Sequence, residues 1–130
     1  MKFLQARNYL LMRPEAREDF PFGPDVAVFK IQNKMFATLV EDKSGARMNL
    51  KCDPNEALIL RDIFEAVQPG YHMNKRHWNT IVLDSNIPSG EIERMIENSY
   101  SLVVRGLPKS TRQALEVRHG QDAIYSKRAD

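Results

Sequence analysis

The sequence predicts an α+β fold in two layers, an antiparallel sheet carrying its helices on one face. Within residues 26–52, short segments rich in β-branched and aromatic residues follow one another with only tight turns between them, which favours an antiparallel meander. Segments with apolar residues at helical spacing precede and follow this region. The length of 130 residues fits one globular domain, with 42% apolar and 28% charged residues. We expect that domain to span residues 1–107, with a short basic extension over 108–130.

The first helix is predicted over residues 2–12, and Pro14 limits its extension. A connector follows over residues 13–25, where several prolines and a glycine disrupt regular structure. Phe20 and Phe22 lie in this connector, and we expect their rings to plug one edge of the core.

Three strands are predicted next, over residues 26–31, 35–40 and 47–52. The first two are apolar at neighbouring positions, which is typical of central strands. The third alternates, so Met48, Leu50 and Cys52 lie on one face and Arg47, Asn49 and Lys51 on the other. One face of the sheet is therefore expected to be wet, with Lys51 on that side.

A second helix is predicted over residues 53–64. Asp53 is suited to cap it, and Glu56 stands where a capping box places a carboxylate. Arg61 is expected to point outward.

The remaining elements are a loop over residues 65–76, a fourth strand over 77–83, a long third helix over 89–105 and a short helix over 110–118. Ser89 is suited to cap the third helix. Apolar and small residues recur along that helix at intervals of three and four, which predicts one buried stripe. Its members are Ile92, Met95, Ile96, Ser99, Tyr100 and Val103.

Several segments of the chain resemble the MmcQ/YjbR family. They are Phe20-Pro21-Phe22-Gly23-Pro24, Val28-Phe29-Lys30, Lys34-Met35-Phe36-Ala37, Asn49-Leu50-Lys51-Cys52-Asp53-Pro54, Pro69-Gly70-Tyr71-His72-Met73-Asn74-Lys75-Arg76-His77-Trp78-Asn79-Thr80 and Ile96-Glu97-Asn98-Ser99-Tyr100-Ser101-Leu102-Val103. The resemblance implies a CyaY-like fold and a bacterial DNA-binding protein whose sheet loops touch the duplex as paired wings. Asn33 stands where many relatives carry glycine, a change that left-handed dihedrals of Asn tolerate.

Residues 69–80 hold two of the three histidines, the only tryptophan and an adjacent cationic pair. In the functional interpretation, cationic side chains neutralise phosphates of duplex DNA without reading sequence, because no helix presents a base-reading face. The candidate DNA-binding residues are Lys51, Tyr71, His72, Asn74, Lys75 and Arg76. In the structural interpretation, Trp78 packs in the core and the loop's polar side chains satisfy backbone groups. A protein- or small-ligand-binding module that uses the same loop and the exposed sheet face, without catalysis, is the alternative function.

Metal and enzyme sites are weakly supported. His72 and His77 are five residues apart, which is not ligand spacing on a helix, and no acidic pair or second cysteine completes a tetrahedral set. Cys52 could act as a nucleophile with either histidine as base, but a lone strand cysteine is usually a small core residue. We therefore expect no enzyme activity, no metal and no cofactor.

Net charge is +2, too small to indicate nucleic acid by itself. Residues 105–130 carry six cationic and three acidic side chains, so the charge is concentrated at the C-terminus. One cysteine and the absence of a long apolar run predict a cytoplasmic protein without a membrane segment. We expect it to be a monomer.

Overall fold

A computed structural model describes residues 1–125 of the chain. Its helices are α1 (Phe3–Leu11), α2 (Pro54–Ile63), α3 (Ser89–Arg105), α4 (Lys109–His119) and α5 (Gln121–Ile124). Its strands are β1 (Arg17–Asp19), β2 (Ala27–Ile31), β3 (Lys34–Asp42), β4 (Gly45–Lys51), β5 (Val67–Pro69) and β6 (Trp78–Val82). The strands form one antiparallel sheet in the order β1-β2-β3-β4-β6-β5 with helices packed against it, so the predicted α+β class is confirmed.

The sheet has six strands where the sequence predicts four. The additional strands, β1 and β5, form the two edges and lie in segments predicted to be irregular. Each is three residues long and pairs with one neighbour, β1 with β2 and β5 with β6. A strand that short carries no readable alternation, so its existence depends on the neighbour against which it pairs.

The main core lies between the sheet and α3. All six residues of the predicted stripe on α3 are buried, which confirms that prediction. The ring of Phe36 from β3 meets Tyr100 edge-on with ring centroids 5.4 Å apart, and the Tyr100 hydroxyl donates to the Pro14 carbonyl at 2.7 Å. The connector after α1 is thereby tied to the centre of the core.

The predicted N-terminal caps of α2 and α3 are confirmed only in part. Asp53 accepts from the backbone N–H groups of Asn55 and Glu56 at 3.1 and 3.2 Å, which confirms the cap on α2. Glu56 completes no capping box, because its carboxylate accepts from Arg94 on α3 at 2.8 Å. The prediction that Ser89 caps α3 is wrong, since Ser89 is already the first residue of that helix.

The hairpin between β2 and β3 turns on Gln32 and Asn33, which both have left-handed dihedrals with φ of 50° and 63°. Asn33 therefore adopts the conformation expected where relatives carry glycine. A bulge interrupts the pairing of β2 with β3 at Phe29 and Lys30.

The described part of the C-terminal extension packs on the domain. Leu115 of α4 and Ile124 of α5 are buried in the core, and the buried Ser101 hydroxyl donates to the Ile124 carbonyl at 3.0 Å. Two cations of this extension are engaged within the fold: Arg118 pairs with Glu15, and Arg112 lies 3.9 Å from Glu116. Two of the six cations counted in residues 105–130, Lys127 and Arg128, lie outside the described residues.

Within residues 1–125, no helix combines the length and apolar character that a membrane crossing requires.

Candidate functional site

The face of the sheet opposite the helices carries a polar row at its centre. Thr38 of β3 lies opposite Asn49 of β4, which in turn lies opposite Thr80 of β6. The predicted alternation of β4 is confirmed, because Met48 and Leu50 are buried while Arg47, Asn49 and Lys51 share the other face. We call this surface the open face.

Two loops rise beside the open face and enclose a cleft with a volume of about 480 Å³. One loop, residues 20–26, contributes Phe22 and Val26, and the other, residues 70–77, contributes Tyr71, His72 and Met73. The floor comes from β3, β4 and β6. Its lining residues are Met35, Thr38, Val40, Arg47, Met48, Asn49 and Thr80.

The expectation that Phe20 and Phe22 plug the core is wrong. Their exposed fractions are 47% and 71%, and Phe22 lines the cleft. The short strand β1 ends at Asp19, so the chain has already left the sheet where these rings occur. Phe22 therefore lies on the open side of the sheet instead of the helix side.

The start of the 70–77 loop is fixed to the polar row by hydrogen bonds. The Tyr71 N–H donates to Thr80 Oγ1 at 2.9 Å, and Asn49 Nδ2 donates to the Tyr71 carbonyl at 3.3 Å. The Thr80 hydroxyl in turn donates to Asn49 Oδ1. Asn49 and Thr80 thereby hold Tyr71 at the edge of the cleft.

Gly70 makes this loop possible through its lack of a side chain. Its N–H donates to the Trp78 carbonyl at 2.9 Å, which closes the loop. A Cβ at Gly70 would lie 2.8 Å from Trp78 Cβ and 2.9 Å from the Trp78 carbonyl oxygen. Trp78 itself is 9% exposed, so the core-packing interpretation of this tryptophan is confirmed.

Arg61 of α2 fixes the end of the same loop. Its Nε donates to Asn79 Oδ1 at 2.7 Å, and its Nη2 donates to the Lys75 carbonyl. The prediction that Arg61 points outward is wrong, because the buried amide of Asn79 and the loop carbonyls provide acceptors on the inner side. Asn79 is 2% exposed and serves the loop's structure.

Tyr71 and His72 form an aromatic pair at the mouth of the cleft. Their ring centroids are 4.0 Å apart at an interplanar angle of 48°, and both residues are exposed. His72 has a φ of 59°, a left-handed backbone conformation that costs free energy in a residue with a side chain. This conformation turns the chain directly after Tyr71.

The predicted cations lie at two places around the open face. Lys51 ends β4, two residues beyond Asn49 on the same face. Lys75 and Arg76 are exposed on the 70–77 loop, and Lys75 Nζ donates to the Gly70 carbonyl at 3.2 Å. Asn74 organises the loop, since its Oδ1 accepts the Arg76 N–H at 3.0 Å. The six predicted DNA-binding residues therefore lie along the open face and its loop.

Arg47 is a cleft residue that the candidate set omits. Its guanidinium donates to both carboxylate oxygens of Asp42, at 3.1 and 2.8 Å. These hydrogen bonds lower the pKa of Asp42 to about 2. The alternation of β4 already places Arg47 and Asn49 on the same face as Lys51, so the sequence contained a signal for Arg47. Only the path of the two loops shows that Arg47 and Asn49 line one cleft.

Cys52 is a free cysteine directly after β4, partly buried, and its N–H donates to the His77 carbonyl at 2.8 Å. Burial raises the pKa of the Cys52 thiol to about 12, with Glu56 and Asp53 adding to the shift. Among residues 1–125, no group of three or more His, Cys, Asp and Glu side chains is placed to hold a metal ion.

A family model described as YjbR matches residues 11–102. The chain belongs to the YjbR family. The match covers the whole sheet, α2 and most of α3, and it ends before α4 and α5.

Curated relatives of the chain are bacterial and uncharacterized. The protein YbdF of Escherichia coli O157:H7 is 37% identical over 115 residues, covering 88% of this chain and 93% of YbdF. YjbR of Escherichia coli K12 is 29% identical over 115 residues, covering 88% of this chain and 98% of YjbR. YyaQ of Bacillus subtilis is 49% identical over 55 residues, which are 42% of this chain and 46% of YyaQ.

Solved structures share the fold. The crystal structure of Deinococcus radiodurans protein DR2400 has a TM-score of 0.81 at 32% identity, covering 88% of this chain and 87% of that chain. The crystal structure of a Pseudomonas syringae protein has a TM-score of 0.71 at 29% identity, covering 78% of this chain and 98% of that one. The YjbR-type architecture is therefore common to this chain and both structures.

Proposed function

We propose that this YjbR-family protein binds DNA through its open face and the two loops beside it. Lys51, Lys75 and Arg76 contact phosphates, and the contacts do not depend on base sequence. The protein acts as a cytoplasmic monomer and catalyses no reaction.

One observation carries this proposal: Lys51, Lys75 and Arg76 form no ion pair with any carboxylate among residues 1–125. Of the other fourteen Lys and Arg side chains in residues 1–125, six have such a partner and eight do not, so what distinguishes these three is that they also lie together along the open face and its loop. Arg7, Lys30, Arg47, Arg94, Arg112 and Arg118 each pair with an acidic side chain. A cation without a carboxylate partner keeps its net positive charge available to an external phosphate.

The placement of these cations also supports the proposal. Lys75 and Arg76 lie on a loop whose two ends are fixed by Thr80 and Arg61, so the loop need not be ordered on binding. Lys51 lies at the end of a paired strand. Phosphate contacts from such positions fix register and orientation on a duplex without reading bases.

The proposal is tested by fluorescence anisotropy of a labelled random duplex at several salt concentrations. On B-form DNA, the slope of log affinity against log salt changes by about 0.9 for each neutralised phosphate. We expect Lys75→Ala/Arg76→Ala to weaken binding and to flatten this slope by about two contacts. The control is Lys2→Ala/Lys109→Ala, which removes two exposed cations from the helix side and should leave the slope unchanged.

If the wild-type protein fails to bind duplex at low salt, or if both double variants lose affinity equally, the phosphate proposal is wrong.

The cleft favours a second candidate, a module that binds a small ligand instead of DNA. Its volume of about 480 Å³ falls in the range of small-molecule sites. Binding of an uncharged ligand in such a site would depend little on salt, whereas duplex binding weakens steeply.

A further inference from the structure

We propose that the cleft accepts an unstacked base of a DNA strand, while cations at the open face hold the flanking phosphates. This inference rests on the proposed DNA-binding function and assigns a role to the cleft, which phosphate contacts alone leave unused. It predicts a preference for DNA that contains an unpaired nucleotide.

The size and walls of the cleft suit a flat ring system. Its volume of about 480 Å³ is ample for one nucleotide. Phe22 and Val26 form one wall, Met73 lies on the opposite loop, and Met35 and Val40 come from β3. Both faces of a base are apolar and polarizable, so aromatic and thioether side chains are favourable neighbours.

The floor can receive the polar edge of a base. Asn49 Nδ2 carries two protons and donates one of them to the Tyr71 carbonyl. The Thr38 hydroxyl and Arg47 also line the cleft on this side. Every base presents both donors and acceptors on its edges, so a mixed floor accepts different bases.

The mouth of the cleft can stack a neighbouring base. Tyr71 is 64% exposed although its backbone is held by hydrogen bonds at both its N–H and its carbonyl. An exposed ring on a fixed backbone loses little conformational entropy when a base stacks on it. His72, in contact with the Tyr71 ring, extends the same aromatic surface.

Charge complementarity selects a nucleic acid strand as the occupant. Lys51 stands two strand positions beyond Asn49 on the open face, about 7 Å along the strand, so its long side chain is within reach of a phosphate that flanks a base bound at Asn49. Arg76 is exposed on the loop that bears Tyr71. A base in the cleft would therefore place its backbone between cations that have no ion-pair partner among the described residues.

The test compares a matched duplex with the same duplex carrying one unpaired nucleotide, by anisotropy and by NMR of the methionine methyl groups. We expect the bulged duplex to bind about tenfold more tightly, as one additional stacked base can supply. We also expect the methyl resonances of Met35 and Met73 to shift with the bulged duplex only, because an entering base exerts a ring current on both.

Val40→Trp fills the cleft without removing a cation, and Val117→Trp on α4 is its control at an exposed position. The preference for the bulged duplex should vanish in Val40→Trp and persist in Val117→Trp. Phe22→Ala is a milder change on an exposed loop and should reduce the preference for the bulged duplex. It keeps the inference testable if Val40→Trp does not fold.

The outcomes separate this inference from the proposed function. Salt-dependent binding of both duplexes with equal affinity and unshifted Met35 and Met73 resonances would overturn the base-binding inference alone. Binding of neither duplex would overturn both proposals. A free deoxynucleoside monophosphate that shifts the two resonances at lower concentration than the bulged duplex would assign the cleft to free nucleotides and overturn the strand as occupant.

Discussion

The buried Ser99 hydroxyl of α3 donates to the Phe36 carbonyl at 2.6 Å and accepts the Lys51 N–H at 2.9 Å. The backbone pairing of β3 with β4 ends at Ala37 and Leu50. The Phe36 carbonyl and the Lys51 N–H lie one position further along, where the next pair would have formed. A helix side chain therefore replaces one rung of the sheet. It satisfies both backbone groups where β4 turns away with β6, and it fixes the backbone of Lys51 at the edge of the open face.

Ser99→Ala removes this bridge and leaves the buried Phe36 carbonyl and the partly buried Lys51 N–H without partners. Unsatisfied buried groups cost about 1–3 kcal/mol, so we expect the free energy of unfolding to fall by that amount. Urea denaturation measures it. The control is Ser89→Ala at the exposed start of α3, where no side-chain cap bond is lost and the change should stay within about 0.5 kcal/mol. Equal effects of the two substitutions would contradict the bridging role.

Gly70→Ala introduces a Cβ into the contact with Trp78 that closes the 70–77 loop. The loop or the tryptophan must then move, and overpacking of this kind costs about 1–3 kcal/mol. Thermal unfolding measures the loss, and a changed Trp78 fluorescence spectrum reports the displacement. Gly90→Ala in α3 is the matched control, because nothing lies within 4 Å of its Cβ position. A neutral Gly70→Ala would show that the loop closes by another route.

Arg61 and Asn79 are expected to be energetically coupled. Their hydrogen bond is 2.7 Å long and joins a charged guanidinium donor on Arg61 to the buried amide oxygen of Asn79. A double-mutant cycle with Arg61→Met and Asn79→Ala should give a coupling energy of about 1–3 kcal/mol. Pairing Arg61→Met with the distant Ser101→Ala should give additive effects. Additivity in the first cycle would show that Arg61 contacts the loop without stabilising it.

Glu15 links α4 to the connector and predicts a pH dependence. Arg118 donates to both of its carboxylate oxygens and His119 Nε2 lies 2.7 Å from one of them, which lowers the pKa of Glu15 to about 2. Its contribution to stability is therefore complete above the unfolded pKa of about 4.5 and is lost as pH falls toward 2.

Glu15→Gln tests this linkage by denaturation at a series of pH values. The wild type should exceed the variant in stability at pH 6, and the difference should shrink between about pH 4.5 and 2. In an Arg118→Ala/His119→Ala background, Glu15→Gln should have little further effect. A pH-independent difference would exclude ionisation of Glu15 as the cause.

Cys52 should react slowly with thiol reagents. Because burial raises the pKa of its thiol to about 12, the thiolate population at neutral pH is far below that of an ordinary cysteine. Alkylation by iodoacetamide should be much slower than that of free cysteine at pH 7.5. The rate should still be rising at pH 10. A plateau near neutral pH would indicate an activated nucleophile and contradict the proposal that the protein is not an enzyme.

Much of the scaffold follows from local patterns in the sequence. The α3 stripe from Ile92 to Val103 and the alternation of β4 are periodic, so each is predicted by the element that contains it. The Asp53 cap is likewise local, because its side chain accepts from backbone N–H groups only two and three residues ahead in the chain. By contrast, β1 and β5 are too short to show a period and exist because β2 and β6 offer them edges.

The sequence by itself determined the α+β class, the wet side of β4 and the concentration of polar side chains in residues 69–80. Only the tertiary structure decided that Phe22 and Tyr71 face a common cleft, that Arg61 turns inward to Asn79, and that Ser99 joins two strands. The physical reason is separation along the chain: periodicity reports which face of its own element a residue occupies, whereas these contacts join residues 18 to 63 positions apart. Their partners are set by how the sheet, α2 and α3 pack together.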